Sequence, residues 1–390
     1  MCTSSPQTHR PRSCWLFCTV IDNYGDIGVS WRLAQILAHE WGWQVHLWLD
    51  DEQALAPLAP PLPALPCIHQ SVHLHRWQAG VSAEGLAAAP APDLVIETFA
   101  CDLPPAVLDI IRQQQPVWLN WEYLSAEPWA RAMHAKPSPQ ANGVQKYFWL
   151  MGFSEADGGL LREQHYSALS QLADHDILRQ KLMLPPKDAP EWLLFGYHSP
   201  VWARWLKMWR QHGEPMRLLI ASEPIIRSLR EAGIIAPDAL QQSGEVYILD
   251  NLQLIRIPFL PQHDFDRLLT LCDDLIVRGE DSFVRAQFSG KPFFWHIYPQ
   301  EEQAHHDKLH AFWPLAYQHF DAAVAAAHQT LSDDLNGVTE LSETERLTAW
   351  QSLAQHSSAW QNAAQAWRNY LFSQSSATER LANFIEDKLK

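Results

Sequence analysis

The chain has 390 residues, more than one ordinary core accommodates, so two domains are expected. Hydrophobic residues make up 47% and include 19 tryptophans, which is ample for two cores and excludes a globally disordered chain. The formal net charge of −15 argues against a nucleic-acid partner or an anionic membrane surface, and no apolar run approaches the ~18 residues of a membrane span.

The leader, residues 1–13, is polar and contains proline, without the apolar core of a signal peptide. Six cysteines (Cys2, Cys14, Cys18, Cys67, Cys101, Cys272) form no C-x-x-C pair and no framework spacing. Reduced thiols and a cytoplasmic location are the expectation.

The N-terminal third alternates strands with helices. Trp15 to Ile21 reads as a buried strand, Asp22 to Gly28 as a glycine-containing loop, and a helix begins near Val29 to Trp31 and runs through Leu37. Further strands are expected over Gln44 to Leu49, Val72 to Leu74, Asp93 to Glu97 and Val117 to Trp121. Ala56 to Pro66 is an extended loop, and Ala106 to Gln115 a helix. Leu160 to Leu184 reads as a polar-faced helix, and Pro185 to Pro190 is the best linker candidate.

A second alternation follows. Strands are expected at Glu191 to Tyr197, Met216 to Ala221, Val246 to Ile248, Leu254 to Ile257, Leu275 to Val277 and Pro292 to Trp295. Helices are expected at Pro200 to Gln211, Ile225 to Ala232 and Asp264 to Leu271. The tail from Thr344 to Leu389 is helical, burying Trp350, Trp360, Trp367, Leu371, Leu381 and Phe384. The expected division is 1–160 as a Rossmann-like acceptor-side domain, 161–190 as a helical connection and linker, 191–343 as a Rossmann-like nucleotide-sugar domain, and 344–390 as helices packing back across both. The class is α/β with two doubly wound domains facing across a cleft. That outline fits nucleotide-sugar glycosyltransferases, periplasmic binding proteins and some kinases and epimerases alike, so fold alone does not settle function.

Two segments carry the chemistry. In Arg278-Gly279-Glu280-Asp281-Ser282, a strand turns tightly into a helix whose first N–H groups lack partners in the chain. Such an end attracts an anion, and Arg278 adds a full charge for a diphosphate while the carboxylates remain for hydroxyl groups. In Asp22-Asn23-Tyr24-Gly25-Asp26-Ile27-Gly28 there is no G-x-G-x-x-G, and two carboxylates would repel a pyrophosphate. They suit a base or a cationic substrate, although Asp26 as a simple helix cap is the competing reading. His305-His306 with Glu301, Glu302 and Asp307 superficially suggests a metal site. Adjacent helical histidines diverge and H-E-x-x-H is absent, so a solvated helix face is expected.

These segments resemble the EarP family, protein-arginine rhamnosyltransferases that modify bacterial elongation factor P. The resemblance rests on Ile21 to Ala34 and Arg278 to Phe283, with support from Trp118 to Leu124, Phe259 to Asp266 and Trp295 to Gln300. It implies a GT-B fold and inverting transfer of rhamnose from dTDP-β-L-rhamnose to the guanidinium of one arginine, without a metal or other cofactor. It also implies that Asp26 is the catalytic aspartate, with Asp22 as the second essential acid in the same loop and Glu280 as the functional glutamate. Donor contacts carry over to Asn23, Tyr24, Gly25, Asp26, Phe195, Tyr197, Phe259, Gln262, Arg278, Gly279, Glu280, Asp281 and Ser282.

The chemistry accords with these residue types. A carboxylate can bind a guanidinium and accept its proton, and flat aromatics at Phe195, Tyr197 and Phe259 can stack a thymine. Glu122 and Tyr123 can line the acceptor side. The alternatives are a nucleotide-sugar enzyme acting on a small molecule or glycan, and a non-catalytic two-domain binding protein. The expected partners are therefore elongation factor P and a nucleotide sugar, with no nucleic acid and no membrane.

Overall fold

A computed structural model describes residues 12–21, 24–77, 83–141, 143–168, 174–300 and 303–389. The chain divides into two units. The first comprises 1–124, 128–164 and 375–390, and the second 125–127 and 165–374. The first unit thus ends at Gln164 and takes back the last helix, while the segment expected as a separate connection belongs from His165 onward to the second.

The first unit is built on an eight-stranded sheet of order β3-β4-β2-β1-β5-β6-β8-β7. Its strands are β1 (Ser13–Cys18), β2 (Gln44–Leu49), β3 (Cys67–His69), β4 (Val72–Arg76), β5 (Leu94–Thr98), β6 (Val117–Glu122), β7 (Pro137–Pro139) and β8 (Gln145–Leu150). Six run parallel, and β3 and β7 pair antiparallel at the edges. A parallel strand is covered on both faces, which explains why all six residues of β1 are buried and apolar or small. On one face Trp15, Phe17, Trp48, Trp77 and Trp118 form the core, with Phe17 and Trp48 stacked at 4.9 Å.

The second unit has a six-stranded sheet of order β11-β12-β10-β9-β13-β14. Its strands are β9 (Glu191–Leu194), β10 (Met216–Ile220), β11 (Val246–Leu249), β12 (Leu252–Arg256), β13 (Asp274–Arg278) and β14 (Phe293–His296). Only β11 is antiparallel. The core gathers Trp192, Trp202, Trp205, Trp209, Trp350 and Trp360. A buried ion pair crosses it: Arg346 donates to both oxygens of Asp334 at 2.7 and 2.8 Å, and the Trp205 indole donates to the same carboxylate. With the Leu341 N–H at 3.0 Å the carboxylate accepts four hydrogen bonds, which offsets the cost of burying its charge.

Several expectations are corrected. The helix after β1 begins at Gly25, not near Val29, so Asp26 lies in its first turn. Between 160 and 184 the described residues hold a 3-10 turn (Gln164–Ala168) and a helix (His175–Lys181), not one long helix. Strand β8 and the helix Ala322–Leu335 were not anticipated, and the helix expected around His305 extends over Ala304–Tyr317. Phe384 is half-buried on the helix Ala377–Lys388, whereas the other expected burying positions of the tail are buried. Among the described residues, no helix is long and apolar enough to cross a membrane. The cysteines among them are free.

Histidines are built into both cores in neutral form. His328 lies stacked on Phe294 at 4.4 Å, donates from Nε2 to the Phe293 carbonyl and accepts from the Tyr317 hydroxyl at Nδ1. Burial lowers its pKa to about 4. Burial likewise lowers His46 to about 3, with His73 and His75 adding repulsion, and lowers His75 and His134 to about 4. A base whose pKa falls on folding binds more protons when unfolded. Stability from these groups is therefore complete above about pH 6.5 and is lost progressively as the pH falls toward 4. The thermal midpoint should hold above that pH and decline steadily below it, and a flat profile between pH 6.5 and 4.5 would contradict this assignment.

Candidate active site

In each sheet the strand order reverses at one point, and the candidate residues lie there. The order turns at β1 in the first unit, between β2 and β5, and at β9 in the second, between β10 and β13. Adjacent connections leave the sheet in opposite directions at such a point, opening a crevice beyond the carboxyl ends of the strands.

In the first unit, Asp26 is 1% exposed although it carries a carboxylate. Its Oδ2 accepts from the Ile21 backbone N–H at 2.8 Å, and its Oδ1 accepts from the Tyr123 hydroxyl at 3.0 Å. The helix cap is Tyr24, without a side-chain cap bond, so Asp26 is not a cap. Its place in the first turn sets it near the positive end of the helix dipole. Ser30, one turn on, is 2.8 Å from the Asp26 carbonyl and 3.1 Å from Thr98 Oγ1 at the end of β5, which ties the helix to the sheet.

Just beyond β5, Phe99 and Ala100 both adopt left-handed backbone (φ 56 and 54). Non-glycine residues in that region are costly and are held by neighbours. Here Phe99 N–H donates to the Trp121 carbonyl and Ala100 N–H to the Asn120 side chain. The bend turns the Phe99 ring against Tyr123, parallel at 4.1 Å. Tyr24 and Gly25 lie at the helix start, while Asp22 and Asn23 lie outside the described residues.

In the second unit, the turn after β13 meets the loop after β9. The Arg278 guanidinium lies over the rings of Phe195 and Tyr197, at 4.6 and 4.9 Å. Guanidinium therefore covers one face of each ring, where a thymine was expected to stack. Gly279 has φ 63, a conformation that favours glycine, and its carbonyl accepts from the Trp295 indole at 2.9 Å. Trp295 in turn stacks on Phe283 at 3.8 Å, fixing the turn to the helix Asp281–Ser289.

Glu280 is the N-cap of that helix, without a side-chain cap bond, and its Oε2 is 4.0 Å from Lys308. Asp281 accepts from Gln262 at 3.4 Å and lies 3.5 Å from Arg285, while the Ser282 hydroxyl donates back to the Arg278 carbonyl.

His296, at the end of β14, accepts the Tyr197 N–H on Nδ1 at 3.1 Å. Burial lowers its pKa to about 3, and the charge of Arg278 and the neighbouring His305 push the same way. A neutral ring is what the acceptor role requires. Phe259, 44% exposed, stands on the loop leading into the helix Gln262–Leu271.

Tyr123 as a partner of Asp26, the bend at Phe99 and Ala100, and Lys308 beside Glu280 were not read from the sequence. The motif around Trp118 to Leu124 was the only signal pointing to one of them. Among the described residues, no group of three or more His, Cys, Asp or Glu could hold a metal ion. His305 is buried, contrary to the expected solvated face, and accepts from the Gln300 N–H, while Glu301 and Glu302 lie outside the described residues.

The same architecture occurs in solved glycosyltransferases. The chain superposes on the glycotransferase of kitacinnamycin with TM-score 0.52 at 12% identity, covering 97% of this chain and 99% of that one. Acinetobacter baumannii MurG gives TM-score 0.51 at 11% identity, covering 97% and 100%. Two largely parallel Rossmann-like sheets, each with its polar loops at a switch point, are the fold shared with these GT-B glycosyltransferases.

The family described as Elongation-Factor P (EF-P) rhamnosyltransferase EarP matches residues 14–386, and the chain belongs to it. It is 57% identical over 380 residues to the protein-arginine rhamnosyltransferase of Neisseria meningitidis serogroup B (97% of this chain, 98% of the relative). Against the enzyme of that name from Pseudomonas aeruginosa it is 38% identical over 385 residues (96% and 99%). A solved structure concerned with EarP-mediated arginine glycosylation of translation elongation factor EF-P superposes with TM-score 0.67 at 27% identity, covering 96% and 99%. The chain is accordingly an enzyme, and the non-catalytic binding reading falls away.

The loop that bears Phe195 and Tyr197 is sterically defined at Gly196. A Cβ there would lie 2.3 Å from Trp202 Cζ2, an atom of a fully buried indole. Gly196→Ala should therefore destabilise the protein by about 1–3 kcal/mol and disturb the Arg278 stack. Denaturant unfolding checks the first effect and nucleotide titration the second.

Proposed function

We propose that the chain transfers L-rhamnose from dTDP-β-L-rhamnose to the guanidinium of a single arginine of elongation factor P, with inversion at the anomeric carbon. The observation that carries this reading is Asp26: a buried carboxylate at a switch point, oriented by two donors, in a chain matching the EarP family from 14 to 386. An enzyme serving elongation factor P would work in the cytoplasm.

A protonated guanidinium is a poor nucleophile and does not lose its proton unaided. A carboxylate oxygen can accept two hydrogen bonds, which suits Asp26 to binding an arginine. As the bond from nitrogen to the anomeric carbon forms, the nitrogen's proton passes to Asp26. The bond from that carbon to the diphosphate oxygen breaks, and dTDP leaves with the electron pair. Negative charge grows on the leaving diphosphate. Arg278 and the amides at the start of the helix Asp281–Ser289 are fixed groups suited to stabilising it, so the reaction needs no metal. Glu280 is suited to a sugar or ribose hydroxyl, and Asp22 and Asn23 keep their proposed places as second acid and donor contact.

Incubating the protein with elongation factor P and dTDP-rhamnose in excess EDTA should add the mass of one deoxyhexose residue to the acceptor. An acceptor of unchanged mass would overturn the reading, and activity only with added Mg²⁺ or Mn²⁺ would overturn its metal-free part. Asp26→Asn keeps size but cannot take the proton, and should lower single-turnover rates about 10²–10⁴-fold.

A further inference from the structure

We propose that Tyr123 is a positioning residue for the reaction: its hydroxyl fixes the Asp26 carboxylate in the orientation that receives the guanidinium proton. The proposal rests on the reading of Asp26 as the base.

A carboxylate on a single side chain keeps rotational freedom about its last torsion unless both oxygens are held. Ile21 N–H holds Oδ2, and that donor belongs to the backbone. On Oδ1 the Tyr123 hydroxyl donates at 3.0 Å. A phenol is a donor well matched to an ionised carboxylate, and such charge-assisted bonds are the strong ones.

The phenol is itself placed with unusual care. It follows directly on β6, its ring lies parallel to Phe99 at 4.1 Å, and Phe99 reaches that position only through left-handed backbone. That bend is secured by the bond from Ala100 N–H to Asn120, and Asn120 is oriented in turn by donating to Glu122 at 2.6 Å. The end of β5 thus holds strained backbone against one ring at the end of β6. The ring is not in the core: Tyr123 is 41% exposed, so filling a cavity does not account for it. Holding the hydroxyl on Asp26 does.

Tyr123 donates in this bond and so does not compete for the transferred proton. It sets where the accepting oxygen points, and small errors in such a placement are expensive in rate.

Tyr123→Phe removes one oxygen and keeps the stack on Phe99. It should lower kcat for elongation factor P about 10–100-fold, with dTDP-rhamnose affinity, KM for the acceptor and thermal midpoint unchanged. The discriminating measurement repeats the substitution in Asp26→Asn. If Tyr123 acts through Asp26, the double variant should match Asp26→Asn alone within roughly twofold in single-turnover rate. Parent-like kcat in Tyr123→Phe would overturn the proposal. So would a full additional loss in the double variant, or a raised KM with kcat preserved, which would mark Tyr123 as an acceptor contact. A parent protein inactive on elongation factor P would instead overturn the functional reading itself, and this proposal with it.

Discussion

A parallel sheet covered on both faces meets substrates only at the ends of its strands, and the rest of this protein follows from that constraint. Strands β1 and β9 are fully buried over the residues that pair, so no functional side chain sits on them. The groups proposed to meet substrates stand at the strand ends and in the turns that follow. Where strand order reverses, those turns lie side by side. Asp26, Phe99 and Tyr123 converge beyond β1, β5 and β6, and Tyr197, Arg278 and His296 converge at the carboxyl ends of β9, β13 and β14.

The two sites solve opposite electrostatic problems. The Asp26 carboxyl is buried, with a backbone amide, a phenol and the start of a helix directed at it. Arg278 is a cation spread over two aromatic faces, beside a histidine that burial and Arg278 itself keep neutral. A second positive charge on His296 would cost the loop its Tyr197 N–H bond and repel the guanidinium. The aromatics expected to stack a base thus first serve to hold an arginine flat. A planar guanidinium needs such a surface, and an ammonium does not present the same fork to a phosphate.

Much of this was legible in the chain itself, and the rest was hidden for definable reasons. Apolar runs such as Leu275 to Val277 and Gln44 to Leu49 announce parallel strands because both of their faces are buried. Strand β8 was missed because it opens with Gln145 and Lys146 and is half-exposed along much of its length. The helix Ala304–Tyr317 carries Pro314 in its interior, which masks its extent. The start of the helix at Gly25 was read too late because Gly25 and Gly28 weaken helical propensity where the fold nevertheless requires a turn. The acid residues and the arginine of the site were readable from residue type and motif. Their partners were not, since Tyr123 meets Asp26 across 97 positions and Lys308 comes to Glu280 from a helix beyond the sheet. Such pairings are set by topology, not by local pattern.

The central claim is a division of labour, with a base in the first unit and diphosphate binding in the second. Calorimetric titration of dTDP into the full chain, beside Asp26→Asn and Arg278→Lys, tests it most directly. The account predicts that Asp26→Asn binds dTDP as the parent does, while Arg278→Lys binds it about tenfold more weakly because the planar fork is lost. Unchanged affinity in Arg278→Lys together with lost affinity in Asp26→Asn would contradict it.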